Sequence, residues 1–277
     1  MEETPLRSLL LCTLGLLCGC AATTVTDRAA AFRLPAPKLS PDSVVLEVAQ
    51  LSVPLHDPQW DHSIWHELDE QALPAELRRA LAANGFRVGI AGNQLPGRVY
   101  ECLDQASEDC ASDSLEQLEE GREKYRRIQI RKGTRSDLVM RAPMETMVSF
   151  SETGNAVSGQ SLKDAQPQFA LVATPRGDGG ATILLTPEVH HGTPRQKFVG
   201  ENGMFRIEPG RDKLVYEDLA IDIELATGQT LVVTGAGPRH SMGGNFFHEE
   251  TGSKKLLLIR LAQSQYDDLF EAPPESL

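Results

Sequence analysis

The chain has 277 residues, 40% of them hydrophobic and 24% charged, which is enough apolar material for one or two globular cores and too much for a disordered chain. Its formal net charge is −12, with the acids scattered rather than gathered in one tract. That balance argues against a nucleic-acid partner and predicts no basic patch for anionic lipid head groups.

The charge-poor run Leu9–Leu17 is too short to span hydrocarbon as a mature helix and has the length of a secretory h-region. It ends in Leu17-Cys18-Gly19-Cys20, which resembles a bacterial lipobox, with the small Gly19 giving a peptidase room. The expectation is a lipoprotein signal peptide over 1–19 and a mature chain that starts at Cys20. Its thiol carries diacylglyceryl, and its freed amine can accept a further chain such as palmitate; several chains hold a protein to a membrane far more firmly than one. Loss of Glu2, Glu3 and Arg7 takes the charge from −12 to −11. Ala21 and Ala22 stand where many inner-membrane lipoproteins carry aspartate, which points to the outer membrane, facing the periplasm.

Residues 20–42 contain Thr, Ala and Pro without sustained periodicity and read as a tether. Ordered structure should begin at Ser43, where the β-branched run Ser43–Val48 continues through Ala49–Val53 with a change of apolar phase, as a bulge produces. From Asp61 to Asn84 the pattern is helical. Leu73, Leu77 and Leu81 recur every four residues, Pro74 suits the first turn of a second helix, and Asn84-Gly85 ends it. Phe86–Ile90 then alternates as a strand, so that 43–100 makes a β-α-β unit.

Of the five cysteines, Cys20, Cys102 and Cys110 remain after cleavage. With Cys20 blocked by lipid, Cys102 and Cys110 form an even pair that an oxidising compartment would close as a disulfide. Closing so small a loop stabilises by up to about 2–3 kcal/mol in the chain-entropy account. Two thiols without a Cys or His partner motif do not make a four-ligand zinc site. Ser114–Arg127 follows as a charged helical connector, acidic first and basic last, which complements the helix dipole. A domain boundary is expected near 125, between the β-α-β domain of 43–125 and a predominantly antiparallel β domain over 126–265, with 266–277 as a tail.

That second half reads as strands at Ile128–Ile130, Met147–Phe150, Phe169–Val172 and Thr182–Leu185, with Arg176–Gly180 as a hairpin turn and Leu219–Leu225 alternating strictly. Ser158–Ser161 reads as a flexible loop, and His190-His191 as a turn after the strand that contains Pro187. No stretch shows the alternation over nine to eleven residues that a lipid-facing channel hairpin requires.

Candidate chemistry is sparse. His62 and His66 share a helix face, but Ser63 takes the place of the glutamate in a His-Glu-x-x-His zinc motif, so no metal site is expected. Alternation puts Glu188 and His190 on one strand face, which gives two ligands and no third. Gly235-Ala236-Gly237 is followed by Pro238 and lacks the helix a dinucleotide loop needs, so no cofactor is expected. No serine lies in a nucleophile elbow, and no catalytic residue is assigned.

The order of motifs in the last third resembles the later part of the secretin core, the β domain of outer-membrane channels in bacterial secretion systems and type IV pili. The resemblance covers about 168–263. It runs from Leu185–Val189 through Leu219–Leu225 to Gly228–Gly235, a glycine-polar turn before a hydrophobic strand. Met242-Gly243-Gly244-Asn245-Phe246-Phe247 follows, similar to a leucine-glycine-x-leucine-phenylalanine signature, and Lys255–Leu261 stands as a closing strand. Trp60–Glu67 and Asn84–Arg87 also resemble uncharacterised envelope lipoproteins. The resemblance implies an α+β fold with a secretin-like β domain and a non-enzymatic structural or accessory role, exercised through a protein partner or self-association beside a secretion or pilus-type assembly. The competing expectations are a periplasm-facing module that binds glycan or a small ligand, and, disfavoured, a hydrolase whose catalytic groups meet only in the fold.

Overall fold

A computed structural model of the chain describes residues 42–55, 57–103, 124–154, 156–201, 204–250 and 252–267. The expected signal segment and tether before 42, Cys20, Cys110 and the expected tail from 268 lie outside the described residues.

The first strand, β1 (Ser43–Pro54), is buried on both faces. Val44, Leu46 and Val48 enter one core, and Ala49, Leu51 and Val53 enter another. This explains the change of apolar phase without a bulge in the middle of β1: the alternation never breaks, but the face that carries the large residues changes. The register does shift at Val45/Leu46, where the partner strand skips from Gln263 to Leu261 and leaves Ala262 as the extra residue.

Two helices follow. The first, α1 (Pro58–Trp65), contributes Ile64 and Trp65 to the second core. The second, α2 (Ala75–Ala83), runs from Pro74 to Asn84, and Leu81 enters the first core. Gly85 then takes φ +78°, the left-handed turn that lets the chain leave the helix and enter β2 (Phe86–Ala91). Residues 97–103 are helical as well, and Val99 joins Ile64 and Trp65 over the same sheet face.

The remaining strands are β3 (Lys124–Arg131), β4 (Arg135–Val139), β5 (Met144–Thr153), β6 (Ala156–Pro175), β7 (Ala181–Glu201), β8 (Met204–Val215), β9 (Ile221–Leu225), β10 (Thr230–Gly235) and β11 (Ser253–Gln265), with the short α3 (Met242–Phe247) before the last. They form a five-stranded sheet in the order β2-β10-β11-β1-β3 and a six-stranded sheet built on β4-β6-β7-β8, with β5 against β6 and β9 against β7. Every ladder is antiparallel. The two sheets share one core, which Leu81 of α2 also enters, while α1 and the helical residues 97–103 cover the other face of the five-stranded sheet.

Several expectations change here. β1 and β2 do not form a self-contained β-α-β unit, because β10 and β11 stand between them. The boundary expected near 125 therefore does not separate two sheets: β1, apolar on both faces, takes the leucine-rich β11 on one side and β3 on the other. Lys124–Arg127 is strand instead of the end of a connector helix, since Lys124 is already paired with Gln50. Ser158–Ser161 belongs to β6 and pairs with β5, and His190 and His191 lie inside β7, which continues to Glu201. Besides the β6–β7 hairpin, β5–β6 and the outer part of β7–β8 thus form long hairpins.

The centre of the shared core is an aromatic knot. Phe86, Phe169, Phe246 and Phe247 meet with ring centroids between 5.0 and 6.2 Å apart, mostly edge-on or tilted, as ring quadrupoles favour. All six residues of α3 are buried, and the Ser241 hydroxyl caps the helix by accepting the Gly244 N–H at 3.1 Å. Gly243 has no room for a side chain, because a Cβ there would collide with the Gly85 carbonyl. The Met242–Phe247 motif is therefore a core plug pressed against the Asn84-Gly85 turn.

Candidate functional site

The β5–β6 hairpin grows out of β6. Its inner half (166–175) pairs with β7 in the core, and its outer half (156–165) pairs with β5 beyond it. On β5, Met147 and Ser149 point inward and are buried, as is Leu162 on β6. The opposite face carries Val148, Phe150 and Glu152, which lie across from Ser161, Gly159 and Val157. Three apolar side chains on this face are open to solvent: Val148 at 40%, Phe150 at 47% and Val157 at 69% exposure. Gly159 leaves space for the Phe150 ring, which would crowd any Cβ there.

The outer edge of β5 is closed by groups far away in sequence. The Asn245 side-chain amide donates to the Val148 carbonyl at 2.9 Å, and the Phe150 N–H donates to the His240 carbonyl at 3.1 Å. Asn84 acts as a substitute strand: its Oδ1 accepts the Glu152 N–H at 2.8 Å, while its Nδ2 donates to the Glu152 carbonyl at 2.8 Å and to the Ala80 carbonyl at 2.9 Å. Edge groups satisfied in this way do not template another strand, so what β5 offers a partner is its side-chain face.

Behind that edge, α2, the end of β5 and residues 215–219 enclose an open groove of about 1060 Å³. Ala80, Val215, Tyr216 and Leu219 line it, together with the charged Glu76, Arg79, Glu152, Glu217 and Asp218. Burial pushes the Tyr216 phenol up to about 12, against a smaller opposing effect of the Ser149 hydroxyl, so the phenol is neutral at physiological pH and is no base.

A second polar cluster ties three strands together on the outward face of the six-stranded sheet. Glu188 of β7, its side chain 3% exposed, receives both guanidinium nitrogens of Arg135 from β4 at 2.7 Å, and Arg135 also reaches Asp137. His190 Nε2 lies 3.0 Å from the Glu188 carboxylate and 2.8 Å from the Gln168 amide of β6. Burial alone would raise the Glu188 pKa, but the bonds from Arg135 and His190 outweigh it and hold the carboxyl below its usual value. Glu188 and His190 do share a face, as alternation predicted, with Val189 pointing into the core. The carboxylate is saturated by its partners, and the cluster works as a clamp across β4, β6 and β7.

His62 and His66 sit on one face with rings stacked 5.9 Å apart. Among the described residues no group of three or more His, Cys, Asp or Glu could hold a metal ion. Cys102 is half-buried beside the second core, and its expected partner Cys110 lies outside the described residues. The sequence leads to the expectation of no basic patch; residues 124–134, which build β3 and the turn after it, hold five Lys and Arg and no acid. Asn84 and Asn245 carried no readable signal for their role, because an Asn before Gly reads as a helix terminator and the strand it serves is 68 residues away.

No family model, curated protein or solved structure matches this chain.

Proposed function

We propose that this chain is a non-enzymatic bacterial envelope lipoprotein, anchored through Cys20 at the outer membrane and facing the periplasm, that works by protein contact as a structural or accessory component of a secretion or pilus-type assembly. The observation that carries the reading is the β5–β6 hairpin. Its inner face is sealed on the core, its edge is closed by Asn84 and Asn245, and its outward face exposes Val148, Phe150 and Val157 together. An apolar strip on a backbone held this firmly suits a preorganised interface, which loses little entropy on docking. The secretin-like order of Leu185–Val189, Gly228–Gly235 and Met242–Phe247 supports the assembly context. Glu188, His190 and Tyr216 are a clamp and a neutral phenol, and neither gives a nucleophile with its base.

The second reading, a lipoprotein that binds a glycan or small ligand, draws on the groove of about 1060 Å³, whose size suits such a ligand. Light scattering separates the two readings. The mature chain, extracted from its native membrane in mild detergent, should run as a discrete species several times its monomer mass or as a stoichiometric complex. A monomer that binds oligosaccharide saturably, with no larger species, would overturn the proposal in favour of the second reading.

A further inference from the structure

The other sheet carries a surface of different character. β3 ends the five-stranded sheet, and among the described residues no strand pairs with its outer side. Two other edges are closed. Asp69 bridges the outer side of β2, exchanging N–H and carbonyl with Ile90 at 2.8 and 3.0 Å. On β4, Arg126 donates to the Asp137 carbonyl at 3.3 Å and Gln50 to the Val139 carbonyl at 2.9 Å. Over Tyr125–Ile130 of β3 no bridge or side-chain cap of this kind is found among the described residues.

The chemistry of β3 selects what would fit. Its register with β1 places Tyr125, Arg127 and Gln129 on the helix-covered side of the sheet, in line with Ala49, Glu47 and Val45. Arg126, Ile128 and Ile130 lie on the sandwich side, in line with Val48, Leu46 and Val44. A strand laid beside β3 would set alternate residues against the Arg127 row and the rest against Ile128 and Ile130. In a chain of net charge −12, the segment 124–134 with five cations and no acid is a local reversal of sign.

We propose that the outer edge of β3 is a docking site for an extended, acidic–apolar alternating segment of a partner protein, which joins the five-stranded sheet as a sixth strand. Acids of that segment sit along the Arg127 row, and apolar residues continue the row of Ile128 and Ile130. An anionic bilayer would satisfy the charges but not the backbone N–H and carbonyl groups, and these favour a peptide strand. The site is on the sheet opposite the β5–β6 hairpin, so its failure leaves the proposed function standing.

The test uses the full mature chain in detergent and a capped, fluorescent octapeptide of alternating Glu and Val. A Lys–Val peptide of the same length and phosphatidylglycerol vesicles serve as controls. The Glu–Val peptide should bind, should slow amide exchange within Tyr125–Ile130 by at least tenfold, and should weaken at least tenfold in Arg127→Glu and at high salt, with the circular dichroism of the variant unchanged. Equal binding of the Lys–Val peptide, binding without added protection of those amides, or association with the vesicles alone would overturn it. If Arg127→Glu fails to fold, the protection measurement on the wild-type chain decides.

Discussion

Replacing Asn84 by Ala removes the side chain that closes the end of β5 while leaving the turn itself unstrained. The Asn84 backbone, at φ −87° and ψ 6°, suits alanine, and its own N–H to Ala80 and its carbonyl to Gly243 are unaffected. What is lost is three side-chain hydrogen bonds, two to Glu152 and one to Ala80. At a net value of about 1 kcal/mol each the sum is about 3 kcal/mol, and the buried position of Asn84 keeps water from replacing all of them. For a domain of this size that corresponds to a fall in Tm of about 6–12 °C. Urea unfolding should show the midpoint falling with the slope unchanged, and amide exchange at Glu152 should accelerate strongly while that of β10 speeds up only by the global loss. Asn84→Asp keeps the acceptor for the Glu152 N–H but sets a carboxylate against two carbonyls, so it should be at least as damaging as Ala. A loss below about 1 kcal/mol for Asn84→Ala, with Glu152 still protected, would refute the idea that Asn84 closes this edge.

Three further outcomes are expected. Glu188→Gln should cost about 2–3 kcal/mol in chemical denaturation, less than a fully buried pair because Arg135 is 34% exposed. Because the folded pKa of Glu188 is depressed, its contribution is present above the ordinary value of 4.5 and is lost as pH falls through the lower folded value; Glu188→Gln should therefore flatten the acid limb of the stability profile. Gly243→Ala should destabilise by about 3 kcal/mol or more or abolish folding, seen in thermal melts, since the Gly85 carbonyl occupies the site of the new methyl group. Phe150→Ser should change stability by less than about 1 kcal/mol, its ring being half exposed, while removing the higher-mass species in light scattering.

Local chemistry was the legible part of this chain. The Arg176–Gly180 turn appears as read, with Gly179 at φ +82° and the Asp178 carboxylate accepting the Gly180 N–H at 2.9 Å. Ile221–Leu225 alternates buried and exposed, and α2 ends at Asn84-Gly85. What escaped depended on distant partners. The outer half of β6 carries only Val157 and Leu162 as large apolar residues and holds Ser158-Gly159-Gln160-Ser161, so its strand character comes from β5 and from a glycine that makes room for Phe150. The single sheet built from β1, β2, β10 and β11 could not be seen locally either, because β1 finds its partner β11 about 200 residues away. The amides of Asn84 and Asn245 gain their role only once the helix end and α3 are pressed against β5.

The central claim is that the outward face of the β5–β6 hairpin meets a protein. A photo-crosslinking amino acid placed at position 150 of the full chain in its native cells tests this most directly, with the same group at the exposed Glu67, after α1, as control. The account predicts one discrete, light-dependent protein adduct from position 150, either with a second copy of the chain or with a single partner, and none from position 67. A folded protein that gives no adduct at 150, or the same adducts from both positions, would contradict it.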